Sequence, residues 1–331
     1  MKKQVNAALI GCGDYVRWLI DDLNASKILR IKYTFDLDPV KANLRAGQLG
    51  ATALNSDELI FSDTEIDVVL IFTPPWARRA LFVKAIENGK NIITVKPLSS
   101  NYTDALELYT MVGDKVKCAV FYGRTGNASV ETIKRILDSG EIGKLHLFKE
   151  DWFHHYPTWN KWAIDPAKNG GPFMDAMIHC LNKARYLIGS EVTASNFFSE
   201  NHAQKLPCND TEGMRVIFEN GASAHLFITW AANLEIYNPD ANEREHIGIL
   251  HLITDQGWYI TEETENDKPI IKARNNGEVR TWEVQPLLET PWDDFALSVL
   301  ENKPISFPMN SALKDIEILE KKYNRSYAIN V

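Results

Sequence analysis

The chain is poor in the features that mark several large protein classes. Its 331 residues hold four cysteines, Cys12, Cys118, Cys180 and Cys208, widely scattered and without a Cys-x-x-Cys pair. That argues against a disulfide scaffold or a zinc ribbon and points to a reducing compartment. No apolar run approaches the roughly 20 residues a bilayer-spanning helix needs. There is no internal repeat, no low-complexity tract and no basic stripe. With a net charge of -8, neither nucleic acid nor membrane is an expected partner. His154, His155, His179 and Asp175 are the candidate metal ligands, but their spacing matches no zinc signature, and no metal is expected. The opening "MKKQVNAALIGC" imitates a lipoprotein leader. Its apolar core is too short, and Asp14 and Arg17 follow at once, so it reads as a first strand of a cytoplasmic chain.

What is present is an ordinary globular composition, 45% hydrophobic and 24% charged, long enough for two domains. Up to Tyr122, short apolar runs alternate with amphipathic ones: "VNAALIG", "IKYTFD", "DVVLIFT", "NIITV" and "KCAVFY" as strands, with helices between them. This grammar predicts an α/β, doubly wound parallel sheet covered on both faces. After Tyr122, longer alternating strands such as "LHLFKEDWF", "TEGMRVIFEN" and "ASAHLFITWAA" predict a mostly antiparallel, open sheet in an α+β domain. Helices from about Pro172 to Leu187 and near the C-terminus are expected to pack on it. The domains are therefore read as 1–122 and 123–331.

"IGCGDYV" places Gly11 and Gly13 between the first strand and the first helix. Glycines there allow a tight turn and close approach of main chain to a pyrophosphate. Val16 occupies the third position of the Gly-x-Gly-x-x-Gly pattern, a departure. The second strand ends "FDLD", and Asp36 lies near the ~20-residue distance at which a carboxylate accepts from the adenosine ribose and repels a 2′-phosphate. The other reading of Asp36 is a cap for the helix opened by Pro39. Gly11, Cys12, Gly13, Asp14, Tyr15, Asp36 and Leu37 are thus candidate cofactor contacts, with NAD expected in preference to NADP.

In such a sheet the chemistry lies at the carboxyl ends of the strands. Thr73-Pro74-Pro75 ends one strand and Lys96-Pro97 the next. Lys96 could hydrogen-bond a substrate hydroxyl, or simply snorkel to solvent. Further on, "NGGPFMDAMIHCLNKARYLIG" puts Asp175 and His179 four apart on one helix face. They suit a general base beside an orienting carboxylate, or a satisfied pair within the core. "DWFHHYPTWNKW" concentrates Trp152, Phe153, His154, His155, Tyr156, Trp159 and Trp162. Such a cluster can wall a polyol pocket or anchor a subunit interface.

Taken in order, "ALIGCGDY", "FDLDP", "LIFTPP", "ENGKNIITVKPL", "LDSGEIGK", "GGPFMDAMIH" and "DFALSVLENKPISFPMNSALKDIEILEKKY" resemble the glucose-fructose oxidoreductase / inositol dehydrogenase family (Gfo/Idh/MocA) over essentially the full length. The resemblance implies a Rossmann nucleotide-binding domain followed by a substrate-binding and oligomerisation domain, in a homodimer or homotetramer. It implies hydride transfer between NAD(P) and a secondary alcohol or ketone of a sugar, sugar acid or cyclitol. It assigns Lys96, Asp175 and His179 to catalysis, and Arg124, Thr73, Pro74, Pro75 and Lys96 to the cofactor. Trp152, His154 and Trp162 join Lys96, Asp175 and His179 as substrate contacts. The chain departs from the family at Val95, where a glutamate is usual, and at Arg78, where a histidine is common. It departs again at Met177, where a glycine is usual, and at Ala163, where many members carry arginine. An NAD-retaining redox glycosidase and a catalytically weak NAD(H) sensor are the alternative readings on the same scaffold.

Overall fold

The computed structural model describes residues 4–158, 161–168, 170–234 and 247–323. The chain divides into two compact units, Met1–Gly126 with Leu287–Ile316, and Asn127–Pro286 with the chain from Glu317 on.

In the first unit the elements run β1 (Val5–Ile10), α1 (Asp14–Arg17), α2 (Ile20–Ala25), β2 (Leu29–Phe35), α3 (Pro39–Leu49), β3 (Thr52–Ala53), α4 (Glu58–Ser62), β4 (Val68–Ile71), α5 (Arg78–Glu87), β5 (Asn91–Val95), α6 (Tyr102–Val112) and β6 (Cys118–Phe121). The strands form one sheet in the order β3-β2-β1-β4-β5-β6, every pair parallel. β4 is apolar and buried throughout, and β1 is so except for half-buried Asn6, as expected of strands covered on both faces. The order reverses between β1 and β4, which makes their carboxyl ends the switch point where such sheets bind ligands. This is the doubly wound fold expected of the first half.

The second unit carries α7 (Ala128–Ser139), β7 (Leu145–Phe153), α8 (Ile178–Ile188), β8 (Val192–Glu200), β9 (Thr211–Phe218), β10 (Ser223–Thr229), β11 (Ile247–Thr254), β12 (Tyr259–Glu265), β13 (Lys268–Asn275) and β14 (Glu278–Glu283). Its eight strands run β14-β13-β12-β11-β7-β10-β9-β8. Only β7 and β10 pair in parallel; the rest are antiparallel. Alternation fixes the faces: Ala224, Leu226 and Ile228 of β10 are buried, while Ser223, His225 and Phe227 between them are half-buried. The open, mostly antiparallel sheet is as expected.

The C-terminal helices differ from the sequence reading, which placed them on the second sheet. α9 (Pro291–Glu301) and the start of α10 (Met309–Tyr323) belong to the first unit, and the first unit extends to Gly126 rather than Tyr122. Trp292, Phe295 and Ala296 bury themselves in the cluster built on β1, β2 and β4. The Val120 amide donates to the Phe307 carbonyl at 3.0 Å, so the returning chain covers the β6 edge that would otherwise be open.

Asp293 fixes that return. It is buried and accepts from the Ser26 hydroxyl at 2.5 Å and from the amides of Lys27 at 3.1 Å and Ile28 at 2.8 Å. Burial alone would raise its pKa, but these hydrogen bonds outweigh burial and hold the carboxyl below its usual range. A depressed folded pKa stabilises above the unfolded value of about 3.9, and that contribution is lost as pH falls through the folded value. Asp293→Ala should therefore cost about 2–4 kcal/mol at pH 7, because three donors lose one charged acceptor. In urea unfolding, the gap between variant and wild type should narrow steadily below about pH 4; a gap independent of pH would contradict this account.

Candidate active site

The glycine turn is built by close approach. Gly11 has φ +92°, and a Cβ there would lie 2.7 Å from the Phe72 carbonyl oxygen and 3.0 Å from the Thr73 amide nitrogen. Only glycine satisfies both the dihedral and the space. Gly13 is the opposite case: φ is -69°, and a Cβ would meet nothing within 4 Å. The space above Gly13 is thus open, the condition a pyrophosphate requires, so the turn fits a dinucleotide. The chain after the turn forms two short helices, Asp14–Arg17 and Ile20–Ala25, rather than one, with Val16 buried in the core. What the turn offers an anion is therefore the local amides of a first helical turn rather than a long aligned helix.

Asp36 braces this turn. Its carboxylate accepts from the Cys12 amide at 2.7 Å and from the Asp38 amide at 2.9 Å. The helix-cap reading of Asp36 is displaced, because Asp38 caps α3 by accepting from the Val40 amide. Each Asp36 oxygen carries one main-chain bond and so keeps capacity for a ribose hydroxyl. Leu37 is 94% exposed, and Asp14 and Tyr15 are also exposed. Burial, and then the Asp36 charge, push the Cys12 thiol up to about 12, which makes it inert at neutral pH.

Arg45 is a participant the sequence reading missed. It is buried, and its guanidinium donates to the carbonyls of Cys12 at 3.4 Å and Gly13 at 3.3 Å and to Gln48 at 2.7 Å. The signal was available: Ala42, Arg45, Ala46 and Leu49 share the inward face of α3 by helical spacing, and a charge on such a face has a task.

The loop after β4 carries Thr73, exposed Pro74 and buried Pro75, and the loop after β5 carries half-buried Lys96. The Lys96 amide donates to the Phe121 carbonyl at 3.0 Å, and the Lys96–Pro97 peptide is cis. Arg78 joins the two loops through main-chain carbonyls. Arg124, just past β6, is buried with its guanidinium 4.9 Å from the centre of the Phe307 ring. The structure thus gathers Gly11, Cys12, Gly13, Asp36, Thr73 and Lys96 into one contiguous set at the strand ends, and packs Arg124 on the returning chain.

In the second unit, Phe173–Met177 forms a π-helical turn leading directly into α8. From Gly171 through Asn182 every residue is buried except Asp175 and His179. Two further residues unforeseen from the sequence hold this segment. Glu212 of β9, itself buried, accepts from the Phe173 amide at 2.7 Å and the Ser199 hydroxyl at 3.1 Å. Glu150 of β7 accepts from Lys183 at 2.7 Å and from the Trp152 indole at 3.0 Å. Burial would depress Lys183, but the Glu150 charge overrides it and raises its pKa. Lys183 follows His179 by one helical turn, and Glu150 sits on the inward face of β7 with Phe148.

Trp152 and His154 have ring centres 6.4 Å apart. His154 is wholly buried and its Nδ1 is 2.7 Å from the His155 carbonyl; since a carbonyl only accepts, Nδ1 carries the proton. Trp162 is half-buried in the loop whose next residue, Ala163, is fully buried and accepts from the Gly171 amide at 2.7 Å. Trp159 lies outside the described residues. No group of three or more His, Cys, Asp or Glu able to hold a metal, and no helix long and apolar enough to cross a membrane, occurs among the described residues.

Residues 5–123 match the model of an oxidoreductase family with an NAD-binding Rossmann fold, and residues 130–241 match the GFO/IDH/MocA C-terminal domain. The NAD(+)-dependent scyllo-inositol 2-dehydrogenase of Bacillus subtilis is 32% identical over 210 residues, 59% of this chain and 57% of that enzyme. The match therefore spans less than two thirds of that relative. The fold is shared with an aldose-aldose oxidoreductase of Caulobacter crescentus solved with glycerol: TM-score 0.82, 19% identity, 97% of each chain covered. An oxidoreductase of Agrobacterium radiobacter solved with NAD+, L-tartaric acid and magnesium superposes with TM-score 0.80 at 19% identity, covering 97% of this chain and 96% of that one.

The two glycines make opposite predictions. Gly11→Ala should cost at least about 2 kcal/mol from the backbone alone, lowering the thermal midpoint. Gly13→Ala should unfold like wild type yet bind NADH at least about tenfold more weakly in a fluorescence titration, because its methyl enters space meant for phosphate. Wild-type NADH affinity in Gly13→Ala would remove the turn from the cofactor site.

Proposed function

The chain belongs to the Gfo/Idh/MocA family of NAD-binding oxidoreductases, and from that premise we propose that it is an NAD-dependent dehydrogenase of a sugar, sugar acid or cyclitol. The observation that carries the reading is the emergence of Asp175 and His179 alone from an otherwise buried segment. Between Gly171 and Asn182 the segment releases only this carboxylate and this imidazole, four residues apart, a pairing that suits acid–base work. The strand-end loops of the first unit supply the dinucleotide site, with Asp36 reserved for the ribose and NAD preferred because a carboxylate there repels a 2′-phosphate.

A bound nicotinamide, held by the Gly11–Gly13 turn and Asp36, would supply hydride transfer to or from the carbon bearing the reacting hydroxyl. The residues of the chain manage the proton and the oxygen. His179 takes the hydroxyl proton during oxidation and returns it during reduction. Asp175 orients His179 or holds a neighbouring hydroxyl, and Lys96 donates to the same oxygen as it gains alkoxide character. Such acid–base assistance is worth roughly 10²–10⁴-fold. The aromatic side chains of Trp152 and Trp162 suit the C–H faces of a polyol. Arg124, packed on Phe307, borders the cofactor end of the sheet. A homodimer or homotetramer is the assembly we propose.

The test is a panel of inositols, aldoses and sugar acids with NAD+, followed at the NADH absorbance. Lys96→Met and His179→Asn should each lower kcat by about 10²–10⁴-fold while NADH affinity stays within about threefold. Turnover unchanged by Lys96→Met would remove the lysine from the mechanism. Release of product from an aryl glycoside without accumulating NADH would instead make the protein a redox glycosidase.

A further inference from the structure

Arg78 is only 2% exposed, and burial drags its pKa downward, although a guanidinium remains charged in any protein. Burying such a charge is costly unless it is hydrogen-bonded. Here the partners are main-chain carbonyls rather than a carboxylate. Nε donates to Thr73 at 3.1 Å, and Nη1 donates to Val95 at 2.7 Å, to Leu98 at 3.3 Å and, closer still, to Pro97. Nη1 has two hydrogens for three acceptors, so one of these bonds is shared.

The acceptors bracket a single residue. Val95 precedes Lys96, and Pro97 and Leu98 follow it, so the guanidinium pins the chain on both sides of the lysine. The Lys96 amide is tied independently to Phe121. Thr73, the fourth acceptor, belongs to the loop against which Gly11 makes its close approach. One side chain therefore sets the lysine-bearing loop in register with the glycine turn. The side chain of Val95 packs against the apolar core and brings no charge, while its carbonyl is one of the acceptors that hold Arg78.

We propose that Arg78 is a positioning residue for Lys96, acting through the 95–98 main chain; this rests on the reading of Lys96 as the group that holds the reacting oxygen. The planar fork is the essential feature, because an ammonium is a point donor and cannot reach acceptors on two separate loops in fixed directions.

The experiment compares Arg78→Lys, Lys96→Met and the double variant. In hydrogen exchange without any ligand, Arg78→Lys should speed exchange across residues 95–100 by at least tenfold and leave β4 at the wild-type rate. With the best substrate of the polyol panel, kcat should fall about 10²-fold, the scale of an ångström-sized misplacement, while NADH affinity changes less than about threefold. The double variant should lose no more than Lys96→Met alone, since both act through one group. If Arg78→Lys does not fold, Arg78→Gln, which keeps two donors and removes the charge, should give the same pattern. Wild-type exchange in 95–100, or losses that multiply in the double variant, would overturn the inference. Wild-type turnover in Lys96→Met would overturn the functional reading instead, and the ligand-free exchange result separates the two.

Discussion

Among the described glycines of the first unit, the tightest approach is that of Gly11 to the main chain at Phe72 and Thr73. β1 and β4 are neighbours in the sheet, and their carboxyl ends leave no volume for a side chain between them. Everything proposed for the first unit follows from that contact. It turns the chain sharply after β1 and brings the Cys12 amide to Asp36. It also places Thr73 where Arg78 can bind its carbonyl and those flanking Lys96. A doubly wound sheet creates a crevice at its switch point in general terms; here a particular set of main-chain contacts joins the loops around it.

The two units use buried charge in the same way. In the first, Arg45 and Arg78 lie beneath loops and are satisfied largely by carbonyls. In the second, Glu212 receives the start of the Asp175–His179 segment, and Glu150 is paired with Lys183 and the Trp152 indole. Each such group would be expensive if left alone. Each is instead hydrogen-bonded to main chain or side chains near a candidate cofactor or catalytic residue. In the proposed mechanism these charges hold positions, and the proton chemistry falls to Lys96, Asp175 and His179, all half-buried.

Much of this was legible in the sequence because it is periodic or local. Continuous apolar strands separated by helices specify a parallel sheet, and Gly11, Gly13 and Asp36 carry their spacing on the surface of the text. The anchoring residues were less visible because their partners are main-chain atoms of distant segments. Arg78 reads as the first residue of an amphipathic helix, and nothing in "PPWARR" says that the carbonyls after β5 will surround it. The placement of α9 was missed for a related reason. Its apolar face fits either unit, and the deciding contact, Asp293 with Ser26, Lys27 and Ile28, joins residues far apart in sequence. Arg45 and Glu150 were the readable exceptions, since both are charges on otherwise inward-facing positions.

The central proposal is that Lys96 and His179 both act on the reacting hydroxyl of a polyol. A crystal structure with NAD and the preferred polyol measures it directly. The account predicts Lys96 Nζ and a ring nitrogen of His179 each within about 3.2 Å of the same substrate oxygen, on the carbon nearest the nicotinamide. A complex in which the two side chains contact different oxygens, or in which either faces away from the substrate, would contradict it.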